Sequence, residues 1–279
     1  MLSSAISPPQ RRLWQTAPMR FVTWNVNSVR LRMEALGRLT QEVRPDVVCL
    51  QEIKVDRERF PFEDIAALGY GHVEMEGYPG YHGVATLSRI PFERLDGPTW
   101  CGKQDGRHLG VRLEDGTEVH NFYVPAGGDE PDPEINNKFR HKLDFLAEMA
   151  DWGQGMAAKG ALLAGDLNVA PLPTDVWSHK QLLKVVSHTP IEVDALTAVQ
   201  DAGGWTDLVR AVIDPETPLF SWWSYRARDW AKADRGRRLD HIWGVGPVVD
   251  RLSGATVLKE ARGWEKPSDH APVMADFRD

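Results

Sequence analysis

The sequence lacks the marks of a secreted or membrane-bound protein. It has two cysteines, Cys49 and Cys101, in 279 residues, which argues against a disulfide framework and favours a reducing cytoplasm. No apolar run approaches the roughly 20 residues that cross a bilayer. The first 18 residues contain proline and serine and lack the apolar core of a secretory signal. We therefore expect a cytoplasmic protein with no membrane partner.

Several catalytic motifs are also missing. No G-x-x-x-x-G-K-[ST] pattern is present, which excludes a P-loop nucleotide site, and neither H-E-x-x-H nor G-x-S-x-G occurs. The formal net charge of -7 argues, at first sight, against a nucleic-acid partner. Net charge does not report where the charges lie, however, so the case for or against a nucleic-acid partner depends on local clusters of charge.

Short apolar runs alternate with amphipathic stretches along the chain, without a linker or a short-period repeat. The runs predict strands at 19–24, 46–50, 84–87, 119–124, 161–164 and 271–277. Apolar faces at 31, 35, 39 and 43 and at 139, 143, 146 and 150 predict two helices. This pattern predicts layers of sheet and helix in one domain, 19–279, after a flexible extension, 1–18.

Polar side chains follow or precede these strands, where α/β folds place functional groups. Each has an ordinary structural explanation alone, as a strand-end acid, a turn residue or a satisfied histidine. Together they offer hard oxygen ligands, suited to Mg²⁺ or Mn²⁺ rather than zinc, and a histidine for acid–base chemistry. This inventory suits phosphodiester hydrolysis. The residues are Asn25, Asn27, Glu52, Asp166, Asn168, Asp269 and His270.

Residues 221–240, SWWSYRARDWAKADRGRRLD, interleave aromatic and basic side chains. A solvated loop around a tryptophan core would explain them, but basic groups also neutralise phosphates and aromatic groups wedge or stack against bases. We predict a locally basic DNA-binding segment within an acidic protein. Its basic residues are Arg226, Arg228, Lys232, Arg235, Arg237 and Arg238.

Six short motifs, in order along the chain from Met19, resemble the exonuclease III family of abasic-site endonucleases. They are FVTWNVN at 21–27, LQEIK at 50–54, YVP at 123–125, GDLN at 165–168, RLD at 238–240 and SDHAPV at 268–273. The resemblance implies a four-layer α/β sandwich, two mixed β-sheets packed face to face with helices outside. It also implies an Mg²⁺-dependent DNA-repair enzyme, with Mn²⁺ as a possible substitute. Such an enzyme incises duplex DNA 5′ to abasic sites and trims 3′ ends, and we expect a monomer.

The resemblance also assigns roles by motif position. Glu52 is the principal metal carboxylate, with Asn25 and Asp269 nearby. Asp166 orients or deprotonates the attacking water, and Asn168 maintains the site's geometry.

Further roles follow from the same motifs. Asp166, Asn168 and His270 are alternative ligands at a second metal position. Asp240 pairs with His270 and orients its ring. Tyr123 lies beside the phosphate or the leaving oxygen.

The predicted DNA-binding residues are Asn27, Lys54, Trp222, Tyr225, Arg226, Arg237 and Leu239. Two positions depart from the family. Arg237 stands where family members commonly have a bulky apolar residue of the abasic pocket, and Ala126 stands where they often have an amide near the phosphate. These departures leave the balance between endonuclease and exonuclease activity open.

Two other classes of function remain alternatives. Phosphodiesterases with the same sandwich act on phosphoinositides, sphingomyelin or undamaged DNA. Pancreatic-type deoxyribonucleases have a second catalytic histidine about where this chain has Tyr123, which favours the repair branch. An inactive DNA-binding scaffold is the other alternative, but every matched acid, amide and histidine position is occupied.

Overall fold

The computed structural model of the protein describes residues 18–156, 159–227 and 229–279. The predicted extension, apart from Pro18, and the predicted DNA-facing Arg228 lie outside the described residues. The boundaries of the single domain at 19–279 stay a prediction. No helix in the described part combines the length and the apolar character that a membrane crossing requires.

Strands and helices alternate along the described chain. The strands are β1 Met19–Asn25, β2 Val47–Gln51, β3 His72–Tyr78, β4 Tyr81–Ser88, β5 Phe92–Arg94, β6 His108–Leu113, β7 Glu118–Tyr123, β8 Ala161–Asp166, β9 Thr206–Asp207, β10 Trp222–Trp223, β11 Gly236–Arg237, β12 Asp240–Val245, β13 Leu252–Val257 and β14 Val273–Phe277. The α-helices are α1 Met33–Val43, α2 Phe62–Ala67, α3 Asn137–Gly153, α4 His179–Leu182, α5 Pro190–Gly203, α6 Trp230–Ala233 and α7 Pro247–Asp250. Short 3-10 helices span Arg30–Arg32, Arg57–Arg59, Trp100–Gly102, Pro173–Asp175 and Lys259–Gly263.

The described strands form two six-stranded sheets and a small two-stranded one. The first sheet has the order β13-β14-β1-β2-β4-β3, and the second has the order β5-β6-β7-β8-β12-β9. Each is mixed, because β1 pairs parallel with β2 and antiparallel with β14, while β8 pairs parallel with β7 and antiparallel with β12. The strands β10 and β11 pair with each other.

Three apolar clusters define four layers. Inner-face side chains of both sheets share one cluster, so the sheets pack face to face; examples are Phe21, Cys49, Val119 and Ile242. A second cluster joins the outer face of the first sheet to α1 and α2. A third joins the outer face of the second sheet to α3 and α5. Successive side chains along a strand point to opposite faces of its sheet. Each strand therefore contributes side chains to an inner and an outer cluster and is buried on both faces.

All six predicted strands are present, with bounds that differ by one to three residues. The two predicted helices correspond to α1 and α3. Leu31 was wrongly predicted to lie on the buried face of the first, because its side chain is 62% exposed. It belongs to the 3-10 helix that precedes α1, and the backbone leaves helical geometry at Arg32, with φ -113° and ψ 14°. This break puts Leu31 out of phase with the buried Ala35 and Leu39.

Strand direction brings the predicted site residues to one end of the sandwich. The parallel strands β1 and β2 end together at Asn25 and Gln51, next to Glu52, and β7 and β8 end together at Tyr123 and Asp166. The antiparallel β12 begins there, with Asp240 opposite Asp166. The segment before β14 reaches the same end, because β14 starts opposite the later part of β1.

Candidate active site

The buried amide of Asn25 joins the ends of the two sheets. Its Nδ2 donates to Glu52 Oε1 at 3.0 Å and to Asp166 Oδ2 at 2.9 Å. Its Oδ1 accepts from the backbone N–H of Asn27 at 3.0 Å, which fixes the orientation of the amide. Two carboxylates from different sheets are therefore held on one amide group.

Glu52 is ionised and surrounded by donors. Tyr123 Oη donates to its Oε1 at 2.8 Å, and Lys54 Nζ lies 2.8 Å from its Oε2. Burial alone would raise the pKa of Glu52, but the charge of Lys54 and the hydrogen bond from Asn25 lower it to about 2. Burial and the charge of Glu52 raise the pKa of Tyr123 well above its ordinary value, so the phenol keeps its proton.

The backbone is strained around these side chains. Asn27, Glu52, Lys54 and Asn168 have φ of 46°, 51°, 54° and 53°, in the left-handed region that residues other than glycine seldom adopt. Such conformations persist where surrounding contacts impose them, and they concentrate at functional sites. Here the backbone N–H groups of Asn27 and Asn168 each bond a side chain of the site, Asn25 Oδ1 and Asp166 Oδ1 respectively.

His270 lies between two carboxylates. Its Nδ1 donates to Asp240 Oδ2 at 2.8 Å, and its Nε2 lies 3.7 Å from Asp166 Oδ2. Burial alone would lower the pKa of His270, but the charges of Asp240 and Asp166 raise it well above its ordinary value. Burial raises the pKa of Asp166 itself, and the charge of His270 offsets only part of that effect. The predicted Asp240–His270 pair is thus present as a contact, and its catalytic role stays a prediction.

The loop after β8 holds Asn168 against Asp166. Asn168 Nδ2 donates to Val124 O at 2.9 Å and to Asp166 Oδ2 at 3.2 Å. Behind it, the fully buried Lys142 of α3 donates to Asn168 O at 2.7 Å and pairs with the fully buried Glu192 of α5. A buried ion pair from two helices therefore supports the loop that carries two predicted catalytic residues.

Asp269 links the predicted metal and DNA-binding residues. Its Oδ1 accepts from Asn27 Nδ2 and its Oδ2 from Trp222 Nε1, both at 3.0 Å. Lys54 Nζ donates to Asn27 Oδ1 at 2.6 Å, which continues the chain of contacts to Glu52. The first residue of β10 is thereby tied to the site.

The donor set fits a hard divalent cation. Glu52, Asp166, Asp240 and Asp269 offer four carboxyl groups, against the cationic groups of Lys54 and His270. The Oδ1 atom of Asp240 is buried without a hydrogen-bond partner among the described residues. Ligand atoms of Asp166, Asp240 and His270 lie within 4.8 Å of one another. Excess negative charge and carboxylate oxygens are the environment that such a cation requires.

A cavity of about 720 Å³ opens over these groups. Glu52, Tyr123, Asp166, Asn168 and His270 line it, together with Trp222, Arg226, Arg237 and Leu239 of the segment 221–240. Tyr225 lies outside it and donates from its hydroxyl to Pro267 O at 2.7 Å.

The sequence pattern of the Endonuclease/Exonuclease/phosphatase family matches residues 22–270. The chain belongs to this family. It is similar to exodeoxyribonuclease III of Haemophilus influenzae, with 30% identity over 93% of this chain and 100% of that protein. An AP endonuclease from Archaeoglobus fulgidus has a similar structure, with 30% identity, a TM-score of 0.86 and coverage of 93% of this chain and 99% of that one. So has NExo, a 3′ phosphatase from Neisseria bound to product DNA hairpin, with 28% identity, a TM-score of 0.85 and coverage of 94% and 100%.

These findings confirm three predictions. The exonuclease III resemblance is confirmed, as is the four-layer α/β sandwich. The general class of function, a DNA-repair nuclease that hydrolyses phosphodiester bonds, is confirmed as well. The roles of individual site residues stay predictions.

One basic residue of the segment 221–240 was assigned wrongly. Arg238 is 1% exposed and does not face solvent or the cavity. Its Nε and Nη2 donate to the two carboxylate oxygens of Asp175 at 2.7 and 2.9 Å, and its Nη1 donates to Asp207 Oδ2 at 2.7 Å. Asp175 also accepts from Arg210. This family member thus uses Arg238 to fasten the loop before α4 to the second sheet, and its charge is neutralised internally.

Sequence reasoning missed the polar groups that position the site. Ser221 Oγ donates to Asp240 Oδ2 at 2.6 Å, and Ser268 Oγ donates to Asn25 O at 2.6 Å. Gln51 Nε2 donates to Asn121 Oδ1 at 2.8 Å in the core beneath the site. Gln51 and Ser268 lie within the motifs LQEIK and SDHAPV, and Ser221 begins the segment 221–240, but no local pattern assigned any of them a contact, and no motif contains Asn121.

Proposed function

We propose that the chain is an Mg²⁺-dependent abasic-site endonuclease and 3′-5′ exonuclease. It incises duplex DNA on the 5′ side of abasic sites and removes nucleotides or blocking groups from 3′ ends, as a monomer, and Mn²⁺ can substitute for Mg²⁺. The cytoplasmic location expected from the cysteine content stays a prediction.

One observation supports the proposal most strongly. A single cavity joins the cluster of carboxyl, imidazole and phenol groups to the aromatic and basic residues of the segment 221–240. Hydrolysis of a phosphodiester needs the first set, and binding of a DNA backbone needs the second. The similar proteins support it too. Two of them, named an AP endonuclease and a 3′ phosphatase, share the fold, and the third, named exodeoxyribonuclease III, aligns over most of the chain.

The chemistry follows from the positions of the side chains. The oxygen of a water molecule attacks phosphorus, and the bond from phosphorus to the 3′ oxygen breaks. Asp166 orients the water and takes its proton, since a carboxyl group with a raised pKa is a better base. His270, kept cationic by Asp240, stabilises the charge of the phosphate oxygens, and Tyr123 donates a hydrogen bond to a phosphate or leaving oxygen. The leaving oxygen takes a proton from solvent and becomes the 3′ hydroxyl, while the attacked phosphorus becomes a new 5′ phosphate and Asp166 returns its proton to solvent.

Glu52, Asn25 and Asp269 would hold Mg²⁺, and Asp166, Asn168 and His270 are the alternative second position. When bound, the cation supplies charge neutralisation at the phosphate oxygens. The donor set provides carboxyl groups at both positions.

Cleavage of a duplex with one internal abasic analogue tests the proposal. With Mg²⁺ we expect a product cut 5′ to the analogue, and with a chelator we expect binding without cleavage. Intact duplex with a recessed 3′ end is the matched substrate for exonuclease activity. Cleavage of intact duplex at internal positions would indicate a nonspecific nuclease instead.

Two results would refute the proposal in favour of its alternatives. If phosphoinositide or sphingomyelin is hydrolysed and duplex DNA does not compete, the substrate is a lipid. If DNA binds equally with and without Mg²⁺ and is never cut, the chain is a scaffold.

A further inference from the structure

The segment 221–240 forms a row of strand pairs that starts at His270. Trp222 pairs antiparallel with His270 on one side and with Arg237 on the other. Residues directly opposite each other in adjacent strands project their side chains to the same face. His270, Trp222 and Arg237 accordingly line the same cavity. With adjacent strands about 4.8 Å apart, the backbone of Arg237 lies roughly 10 Å from that of His270.

The guanidinium of Arg237 is held in place by the protein. Its Nη1 donates to Val186 O at 2.9 Å and to Ser187 Oγ at 2.8 Å, and its centre lies 5.3 Å from the ring of Trp222. The anchoring segment is itself fixed, since Glu192 accepts from the backbone N–H of Ser187 at 2.9 Å. A group that is ordered before binding loses little conformational freedom when its ligand arrives.

Arg237 differs from its neighbour Arg238 in how its charge is paired. Among the residues that the structure describes, no carboxylate forms an ion pair with Arg237, whereas Asp175 and Asp207 neutralise Arg238. The nearby charge of Glu192 acts on Arg237 through space, but that carboxylate is already paired with Lys142. A half-buried guanidinium without a directly bonded carboxylate favours the binding of an anion, and its planar fork matches a phosphate.

Trp222 lies between Arg237 and His270 in the row of strands, and the guanidinium of Arg237 is bonded to Val186 and Ser187, so contact of the two cations with different phosphates is expected. We propose that Arg237 is a clamp for a phosphodiester group that neighbours the scissile one on the cleaved strand. The inference rests on the proposed function, which puts the scissile phosphate beside His270. Because a strand end lacks one of these neighbours, the clamp makes the enzyme sensitive to the position of the cut relative to the end.

Neutral methylphosphonate groups test the clamp. One is placed in turn at the scissile position and at each of the two neighbouring phosphates on either side, in an abasic duplex. Affinity is measured by fluorescence anisotropy under chelation, without cleavage. For the wild type we expect a loss of about tenfold, equivalent to ~1.4 kcal/mol, at one neighbouring position. Arg237→Met should bind the unmodified duplex about tenfold more weakly and show no further loss at that position.

Lys232→Met is the matched control, because it removes one exposed positive charge from the same segment. This variant should bind all the duplexes more weakly by the same factor and should still show the tenfold loss of affinity when the neighbouring phosphate is neutral. Ser187→Ala keeps the guanidinium but removes an anchor, and it should reduce the positional loss if Arg237→Met proves too unstable to assay. Melting temperatures of all variants check folding.

If the methylphosphonate at that neighbouring position weakens DNA binding equally in the wild type and in Arg237→Met, the proposed phosphate clamp is overturned. A wild type that is insensitive at every neighbouring position, or coupling of Arg237 to the scissile phosphate alone, overturns it too. Failure of the proposed nuclease function appears separately, as absence of Mg²⁺-dependent cleavage in the unmodified duplex.

Discussion

Replacing Lys142 by Met tests whether the buried ion pair behind the active site stabilises the fold. Lys142 and Glu192 are both 0% exposed, and Lys142 Nζ also donates to Asn168 O. Removal of the cation leaves the carboxylate of Glu192 buried without its charged partner. Losing one partner of such a pair costs about 3–5 kcal/mol. For a chain of this size the melting temperature should fall by roughly 6–20 °C.

The assay is thermal unfolding at neutral pH, followed by circular dichroism, on the wild type and four variants, which include the single variant Glu192→Gln. Lys138→Met is the matched control on the same helix, where the side chain is exposed, and it should change stability by less than about 0.5 kcal/mol. The double variant Lys142→Met with Glu192→Gln removes both charges. Since no uncompensated charge is then left buried, it should melt above Lys142→Met alone.

Glu192 has a second function that limits the recovery. Its carboxylate accepts from Ser187 N, from Thr189 N and from Thr189 Oγ1, and glutamine retains only one acceptor oxygen for these donors. The double variant should therefore remain below the wild type. If Lys142→Met melts within two degrees of the wild type, or if the double variant melts below it by the sum of the two single losses, the assignment of a stabilising ion pair is wrong.

Three further predictions concern the site and its support. Glu52→Ala should abolish Mg²⁺-dependent cleavage and leave DNA affinity within a few-fold, and normal cutting at limiting Mg²⁺ contradicts the assignment. Asp240→Asn and His270→Ala should each lower the cleavage rate strongly, and the double variant should lose little more than His270→Ala. Additive losses would refute the hypothesis that Asp240 and His270 act as one unit. Burial would raise the pKa of Asp175, but the charge of Arg238 lowers it. The contribution of ionised Asp175 to the stability of the fold is therefore present above about pH 4 and is lost as the pH falls further. The difference in melting temperature between the wild type and Asp175→Asn should shrink there, and a constant difference contradicts the linkage.

The sequence predicted the architecture because the strands that build it are apolar on both faces. Strands such as β2 and β8 read as continuous apolar runs, and the polar residues that follow them mark the end of the sandwich. The polar strand β3 and the two-residue strands β10 and β11 carry no such signal. Their positions depend on pairing with distant segments, and no local pattern reports that pairing.

The same limit applies to the charges. Arg237 and Arg238 are adjacent in the chain and chemically identical, yet one lines the cavity and the other is buried against Asp175 and Asp207. The acids that neutralise Arg238 lie 63 and 31 residues away along the chain. The basic residues of a segment can therefore be counted from the sequence, but only the fold shows which of them remain available to a ligand.

The distribution of charge explains how an acidic protein can bind DNA. Three arginines, Arg226, Arg235 and Arg237, line the same cavity as the acidic residues Glu52, Asp129, Asp166 and Asp269. Three cations in contact with phosphates should give a slope of log K against log salt of roughly -3, since each contact contributes about 0.9. The net charge of -7 does not enter this slope, because charges beyond a Debye length of about 10 Å are screened. Binding titrations across a salt series measure it. A slope near zero would mean that the arginines do not contact the backbone, and a slope beyond about -6 would place further basic surface at the interface.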